Sequence, residues 1–376
     1  HLCKHCSLAP VCLPEENRAV SEGSYKAVRL FPEKRERATV HITGYRTRIK
    51  KSADTIIVEK FNAENESVVE KIPAHNVESL NLHGNCQVSA QMIRYLARQE
   101  INLHWFTGGG EYVGGLQPGG PAVQRRLRQY EALRDPQFRM NLARRLIQAK
   151  CESQLKYILR STRKNQKLRG DIDRSIEIMR TLLKKIEAAE SSGTLLGIEG
   201  SFARRYHGIV PRLLNTEIES CLLPQGRSKR PPRDPYNACL SFLYALLYRS
   251  VRQAIIAVGL DPCFGFFHTA RSAAEPLVLD MIELFRVTLC DMPLIGSMNR
   301  LFWKEADFMI TKSKVWLNED GRKKAIQIFE SRLDDHWKHP VIGYSLSYYR
   351  MIELEVRLLE KEWGDNVQTF AKARLR

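Results

Sequence analysis

The sequence predicts a mixed fold: a β-rich segment over residues 39–118, a larger helical segment over residues 119–376, and a short cysteine-rich tail ahead of both. Three observations lead there. Between Thr39 and Pro118, short β-branched and apolar runs alternate with turn residues. From Ala122 onward apolar residues recur at helical spacing, with Phe138, Leu142 and Leu146 in one row and Ile172, Ile176, Met179, Leu183 and Ile186 in another. Of the nine cysteines, Cys3, Cys6 and Cys12 crowd the first 12 residues and the rest are scattered.

The tail, residues 1–16, has the spacing C-x2-C-x5-C, which lets three thiolates converge on one soft metal centre. Zinc, completed by His1 or His5, and an iron–sulfur cluster both fit. Three cysteines make an incomplete tetrahedral set and the chain opens on His1, so a fourth ligand is expected upstream in a longer product. Residues 17–38 are polar and charged, include Gly23 and Pro32, lack an apolar period, and read as a linker.

Val40-His41-Ile42-Thr43, Thr55-Ile56-Ile57-Val58 and Val77-Glu78-Ser79-Leu80 then read as strands. An amphipathic helix from Ser89 to Arg98 precedes a further strand from Ile101 to Phe106. The glycines that follow, Gly108 to Gly110 with Gly114 and Gly115, predict a hairpin. A phosphate-cradling loop would need the pattern G-x-x-x-x-G-K-[ST], which this stretch lacks.

Charge narrows the partners. The chain carries 59 Lys and Arg against 42 Asp and Glu, a formal net charge of +17, which favours an anionic polymer. Arg125, Arg126, Arg128, Arg144, Arg145, Lys150, Lys156, Arg160, Arg163, Lys164, Lys167 and Arg169 lie within one mostly helical stretch with few acids among them, and suit phosphate neutralisation. No apolar run approaches the roughly 20 residues that span a bilayer. Ala238 to Tyr248, the longest, reads as part of a buried helix over Asn237 to Val258. Scattered single cysteines and the lack of a secretory signal place the protein in the cytoplasm. Helices are expected to continue to the C-terminus, through Tyr348 to Trp363, with the basic end from Phe370 frayed.

Residues 259–286 concentrate the candidate chemistry. A turn leads into an apolar run ending at His268, and Pro276 opens a helix that carries Asp280 and Glu283 three residues apart, on one face. Their neighbours Leu277, Val278, Leu279, Met281, Ile282, Leu284 and Phe285 are apolar, so the two acids need a compensating cation. A metal is one answer, and Arg286, three residues beyond Glu283, is another. Glu199, flanked by Gly197 and Gly200, is a third acid in apolar company, readable as a ligand or as a helix-start carboxylate.

These stretches resemble known families. Cys3-x2-Cys6, Ser7-Leu8 and Cys12-Leu13-Pro14-Glu15 resemble the C-terminal end of the CRISPR-associated nuclease Cas4, whose RecB-like core is absent from this sequence. Gly197-Ile198-Glu199-Gly200, then residues 237–244, Gly259-Leu260-Asp261-Pro262, Gly265-Phe266-Phe267-His268 and residues 279–286 resemble the successive signatures of the CRISPR-associated integrase Cas1. Together they look like part of a natural Cas4/Cas1 fusion. Departures are modest: Cys263 and Phe267 replace commoner residues, and the loop from Thr269 to Glu275 is alanine-rich.

The resemblance implies a β-sandwich-like N-terminal domain (residues 39–118) and an all-α catalytic domain (residues 119–376). It implies catalytic metal ligands at Glu199, His268 and Glu283, with Asp280 beside them, holding Mg2+ or Mn2+. Cys3, Cys6 and Cys12 would ligate a 4Fe-4S cluster. The implied activity inserts prespacer DNA into the CRISPR array by 3′-hydroxyl attack on a phosphodiester, with endonuclease side activity. Implied partners are duplex prespacer DNA with single-stranded 3′ ends, CRISPR repeat DNA, and a Cas2 dimer bridging two homodimers, with no membrane. A non-catalytic DNA-binding scaffold, its carboxylates merely closing salt bridges, is the alternative.

Overall fold

The computed structural model describes residues 12–15, 18, 36–44, 46–62, 65–118, 122–228, 231–268, 275–339, 342–365 and 369–372. Two four-stranded sheets come first. Strands β1 (Ala38–Thr43), β5 (Val77–His83), β7 (Asn102–Phe106) and β8 (Tyr112–Leu116) form one, in the order β1-β5-β7-β8. The other has the order β4-β3-β2-β6, from β2 (Thr47–Ser52), β3 (Thr55–Phe61), β4 (Ser67–Pro73) and β6 (Cys86–Val88). Helix α1 (Ala90–Arg98) is started by the Ser89 hydroxyl, which accepts from the Met92 N–H. Ile42, Ile49, Ile56, Val58, Leu80, Leu82, Met92, Leu96 and Leu103 make one apolar core between these elements. The glycine run lies in the antiparallel β7–β8 hairpin, where Thr107 and Gly110 close the turn.

Strand β5 is buried on both sides. Leu80 and Leu82 enter the sheet core, while Asn81 and His83 turn the other way, toward the helices. His83 stacks on Phe106 and lies beside Phe242, and burial followed by its neighbour His41 keeps it well below the usual histidine range. The neutral ring meets His41 at 2.9 Å, and His41 reaches Glu330 at 3.1 Å. The same Glu330 carboxylate accepts from the fully buried Arg249 at 3.3 Å. A compensated charge network therefore joins the sheets to the helices.

The helical part consists of α2 (Val123–Ala132), α3 (Pro136–Ser161), α4 (Gln166–Glu187), α5 (Ser192–Ile209), α6 (Pro235–Val258), α7 (Pro276–Ile282), a π-helical turn (Arg286–Asp291), α8 (Met292–Asn299), α9 (Glu319–Asp334) and α10 (Tyr348–Asp365). The central α6 is capped by the Asp234 carboxylate and ended by Gly259 at φ +91°, where a Cβ would sit 2.5 Å from Ala122. It packs against α7, α9, α10 and β8. Among the described residues no helix is long and apolar enough to cross a membrane.

Three expectations need correction. The helical part is not all-α: β9 (Phe308–Ile310) pairs with β10 (Val315–Leu317), and β11 (His336–Lys338) with β12 (Ser345–Ser347). Three-residue strands are too short to show a period in the sequence. Glu199 starts no helix; it lies within α5, which Ser191 caps. Nor is the chain frayed at Phe370, although residues 373–376 are outside the described set. Phe370 is fully buried, its ring edge-on to Phe266 with centroids 5.7 Å apart. Its N–H donates to Glu362 at 2.7 Å, and Arg145 grips the same carboxylate through two bonds of 3.1 and 2.7 Å.

Asp291 anchors the π-helical turn to its neighbours, accepting from the Tyr206 hydroxyl at 2.8 Å and the Tyr244 hydroxyl at 3.0 Å. Burial pushes its carboxyl up to about 6, against the pull of those hydroxyls and of Arg286. Between its unfolded value of 3.8 and about 6, the folded chain holds a proton that the unfolded chain has released, so stability falls as pH rises through that window.

Two predictions follow from this packing. Phe370→Ala is expected to cost about 3–5 kcal/mol in chemical denaturation, since Phe266 and the Arg145 guanidinium lose the ring they pack on. Asp291→Asn removes the ionisation but keeps an oxygen for the tyrosines. Its stability relative to wild type is expected to improve by on the order of 3 kcal/mol between pH 4 and pH 7, read from unfolding midpoints at both.

Candidate metal centre

Four elements deliver the candidate residues: α5 carries Glu199, α3 carries Lys150, the loop before α7 carries His268, and Glu283 caps the C-terminal end of α7. Glycine and local sequence decide how the loop is held. The Asp280 carboxylate on α7 accepts the N–H groups of Phe266 at 2.7 Å and Phe267 at 3.1 Å on Oδ2. Its Oδ1 accepts the His268 N–H at 2.8 Å and faces His268 Nδ1 at 2.7 Å. A Cβ on Gly265 would lie 2.6 Å from Asp280 Oδ2, so only glycine lets the loop come this close.

That cradle sets the imidazole. With Nδ1 facing the Asp280 carboxylate, Nε2 is the nitrogen turned away from it and the one placed to meet a metal, as in carboxylate–histidine–metal arrangements. Asp280 is completely buried and both its oxygens are occupied by the loop. Asp280 and Glu283, three residues apart, do not serve one group. Asp280 points to the histidine loop and Glu283 to α3.

Glu199 and Glu283, 84 positions apart, are brought onto one cation, the Lys150 ammonium. Lys150 Nζ lies against Glu199 Oε1 and 2.8 Å from Glu283 Oε2. Arg286 holds the other Glu283 oxygen at 2.7 Å. Burial on its own raises the Glu283 pKa, but Arg286 and Lys150, with a smaller contribution from His268, more than offset it and hold the group at about 2. Burial likewise disfavours the Lys150 ammonium, and Glu283 and Glu199 keep its pKa above the ordinary lysine value.

This donor set fits a divalent metal. Glu283 Oε2 is buried and lies 2.8 Å from Lys150 Nζ, an ion pair of poor hydrogen-bond alignment. Two carboxylates and one imidazole nitrogen suit Mn2+ or Mg2+. Their ligand atoms are not drawn to mutual ligand spacing. Among the described residues the trio that is, Glu219, Cys221 and Glu305, is an exposed cluster. Of the cysteine tail, Cys12 is exposed, whereas Cys3 and Cys6 lie outside the described residues.

Lys150 was legible in the sequence only as one of a run of bases. Its burial removes it from the surface that the run predicts, and Arg145 (to Glu362) and Arg125 (to Glu360) are also tied internally. Arg126, Arg128, Arg160, Arg163, Lys164 and Lys167 are exposed. A cleft of about 330 Å³ between α4 and α5 adds Arg204, Arg205 and Arg212 to the basic surface.

Comparison with known proteins agrees with this architecture. Residues 40–331 match the family model described as CRISPR associated protein Cas1. The chain is 60% identical over 377 residues to a protein of Leptospira interrogans named CRISPR-associated exonuclease Cas4/endonuclease Cas1 fusion, covering 100% of this chain and 70% of that one. It spans about two thirds of the length of the curated fusion relatives it matches. A Cas1 protein from Thermotoga maritima superposes with a TM-score of 0.72 at 24% identity, covering 86% of this chain and 96% of that one. A casposase bound to integration product gives 0.76 at 20% identity, covering 89% and 93%. By its family match and its end-to-end similarity to those relatives, the chain belongs to the Cas1 family, in the form found in Cas4/Cas1 fusions.

Proposed function

We propose that this chain is a metal-dependent DNA integrase of CRISPR adaptation, joining a prespacer 3′ end to repeat DNA. The observation that carries the reading is the meeting of Glu199 and Glu283 on one cation beside a histidine whose free nitrogen is fixed by Asp280. Bound Mg2+ or Mn2+, held by Glu199, His268 and Glu283, would supply a Lewis acid that stabilises the attacking oxygen and the crowded phosphate charge.

Everything else the reaction needs is positioning and charge. The attacking 3′-oxygen forms a bond to phosphorus as the bond to the leaving oxygen of the cut strand breaks, so both reacting groups belong to DNA. No covalent nucleophile is required of the protein, and burial pushes the thiol of Cys151, next to Lys150, far above its usual range. Arg286 adds fixed positive charge behind Glu283. Exposed bases on α2, α3 and the α3–α4 turn would carry the duplex by its phosphates. The same site supplied with water would nick DNA.

As in the family, the partners would be prespacer duplex with single-stranded 3′ ends, CRISPR repeat DNA, and a Cas2 dimer between two homodimers. In an intact fusion, a Cas4 portion with its 4Fe-4S cluster at Cys3, Cys6 and Cys12 would select and trim prespacers. One observation favours the scaffold reading instead: both carboxylates already close salt bridges. Anomalous scattering from crystals grown with Mn2+ separates the two readings, since a scaffold leaves no peak between Glu199, His268 and Glu283.

Glu199→Ala and His268→Ala are each expected to lower strand transfer about 100-fold or more with DNA binding kept. Asp280→Asn, which sets an amide N–H against backbone N–H donors and so loosens the loop together with its imidazole, is expected to cost about 10–100-fold. Joining of a labelled prespacer to a repeat-bearing plasmid in the presence of Cas2 measures all three. Wild-type joining by Glu199→Ala or His268→Ala would overturn the assignment.

A further inference from the structure

Behind the open side of the site, two acids and two bases share one buried volume. Glu283 and Lys150 are buried, Arg286 is mostly so, and Glu199 reaches the surface at one edge. Their charges cancel without any metal. The Lys150 ammonium is not placed as a surface base would be. It extends from the buried side of α3 and meets one oxygen of each carboxylate, Glu199 Oε1 and Glu283 Oε2.

We propose that Lys150 is a resident cation that occupies the metal-binding point of the Glu199–Glu283 pair and competes with the divalent ion for it. The proposal rests on the metal reading above and adds a role for a residue that is not itself a ligand. Three features support it. The carboxylates would repel one another in a poorly solvated pocket if no cation lay between them, so the lysine keeps the pair assembled in the metal-free chain. Its contact with Glu283 Oε2 is a 2.8 Å ion pair of poor hydrogen-bond alignment, so what a metal replaces there is chiefly a charge contact. Arg286 holds the opposite oxygen, so Glu283 keeps its orientation when the ammonium leaves.

Competition has a functional consequence. With the ammonium displaced but still nearby, the metal-loaded pocket carries two excess positive charges. That matches the charge of a phosphodiester attacked by an ionised oxygen. Without DNA the excess charge is uncompensated, so weak metal binding before DNA arrives is built into the site.

The test is Mn2+ binding to the full chain without DNA, read from the electron paramagnetic resonance of free Mn2+. Lys150→Met is expected to tighten Mn2+ binding at least about tenfold, because a positive charge next to the ion is removed. It is also expected to lower the metal-free melting temperature and enlarge the rise that Mn2+ produces. Lys150→Arg, which keeps the charge and grips carboxylates with a planar fork, is expected to bind Mn2+ more weakly than wild type. Equal or weaker Mn2+ binding by Lys150→Met overturns the proposal. If that variant does not fold, Lys150→Arg decides: weaker binding supports competition and unchanged binding overturns it. Glu199→Ala is the control for the metal reading. If wild type binds no Mn2+ at this site and Glu199→Ala changes nothing, that reading fails and takes this proposal with it.

Discussion

The buried ion cluster of Lys150, Glu199, Glu283 and Arg286 is the constraint on which the helical part depends. It brings charge from α3, α5 and the end of α7 into an interior otherwise filled by aliphatic and aromatic side chains. Charges so placed are tolerable only when each finds an opposite within ion-pair distance. The three elements are thereby held to one relative position. The carboxylate pair that chemistry would use is also a condition of packing, and the site is preformed because the core cannot close without its charge balance.

A second constraint places the histidine. Asp280 satisfies three successive backbone N–H groups and the imidazole Nδ1, so the loop over residues 266–268 is pinned to α7 by one carboxylate. Gly265 permits the approach, and Phe370 closes the other side of Phe266. Through Arg145 and Glu362, the same α3 that brings Lys150 into the ion cluster also holds the C-terminal segment against this loop. Both halves of the candidate centre are therefore supported from one helix. Within α6, Arg249 shares Glu330 with His41, so the sheets are locked to the helices by the same device of compensated buried charge.

Most of the fold was legible in the sequence. The run over β3, where Ile56 and Val58 point inward, and the row from Ile172 to Ile186 both reflect local periods that burial imposes. The helix start at Ser89 was legible because its cap acts within its own turn. The hairpins β9–β10 and β11–β12 were hidden because three residues carry no measurable period. The buried C-terminal segment was hidden because a basic, terminal stretch offers no local sign of the partner that covers Phe370.

What the sequence by itself determined was the order of elements, the residue types available for metal chemistry and an excess of positive charge. Local spacing and motif order are properties of the chain, independent of how distant segments meet. Only the tertiary structure decided which charges belong together. It separated Asp280 from Glu283, giving one to the histidine loop and the other to Lys150. It also moved Lys150 from a run of surface bases into the centre of the site. The reason is physical: the free energy of a buried charge depends on its partners, and those partners lie on α3, α5 and α7, far apart in sequence and adjacent only once the helices pack.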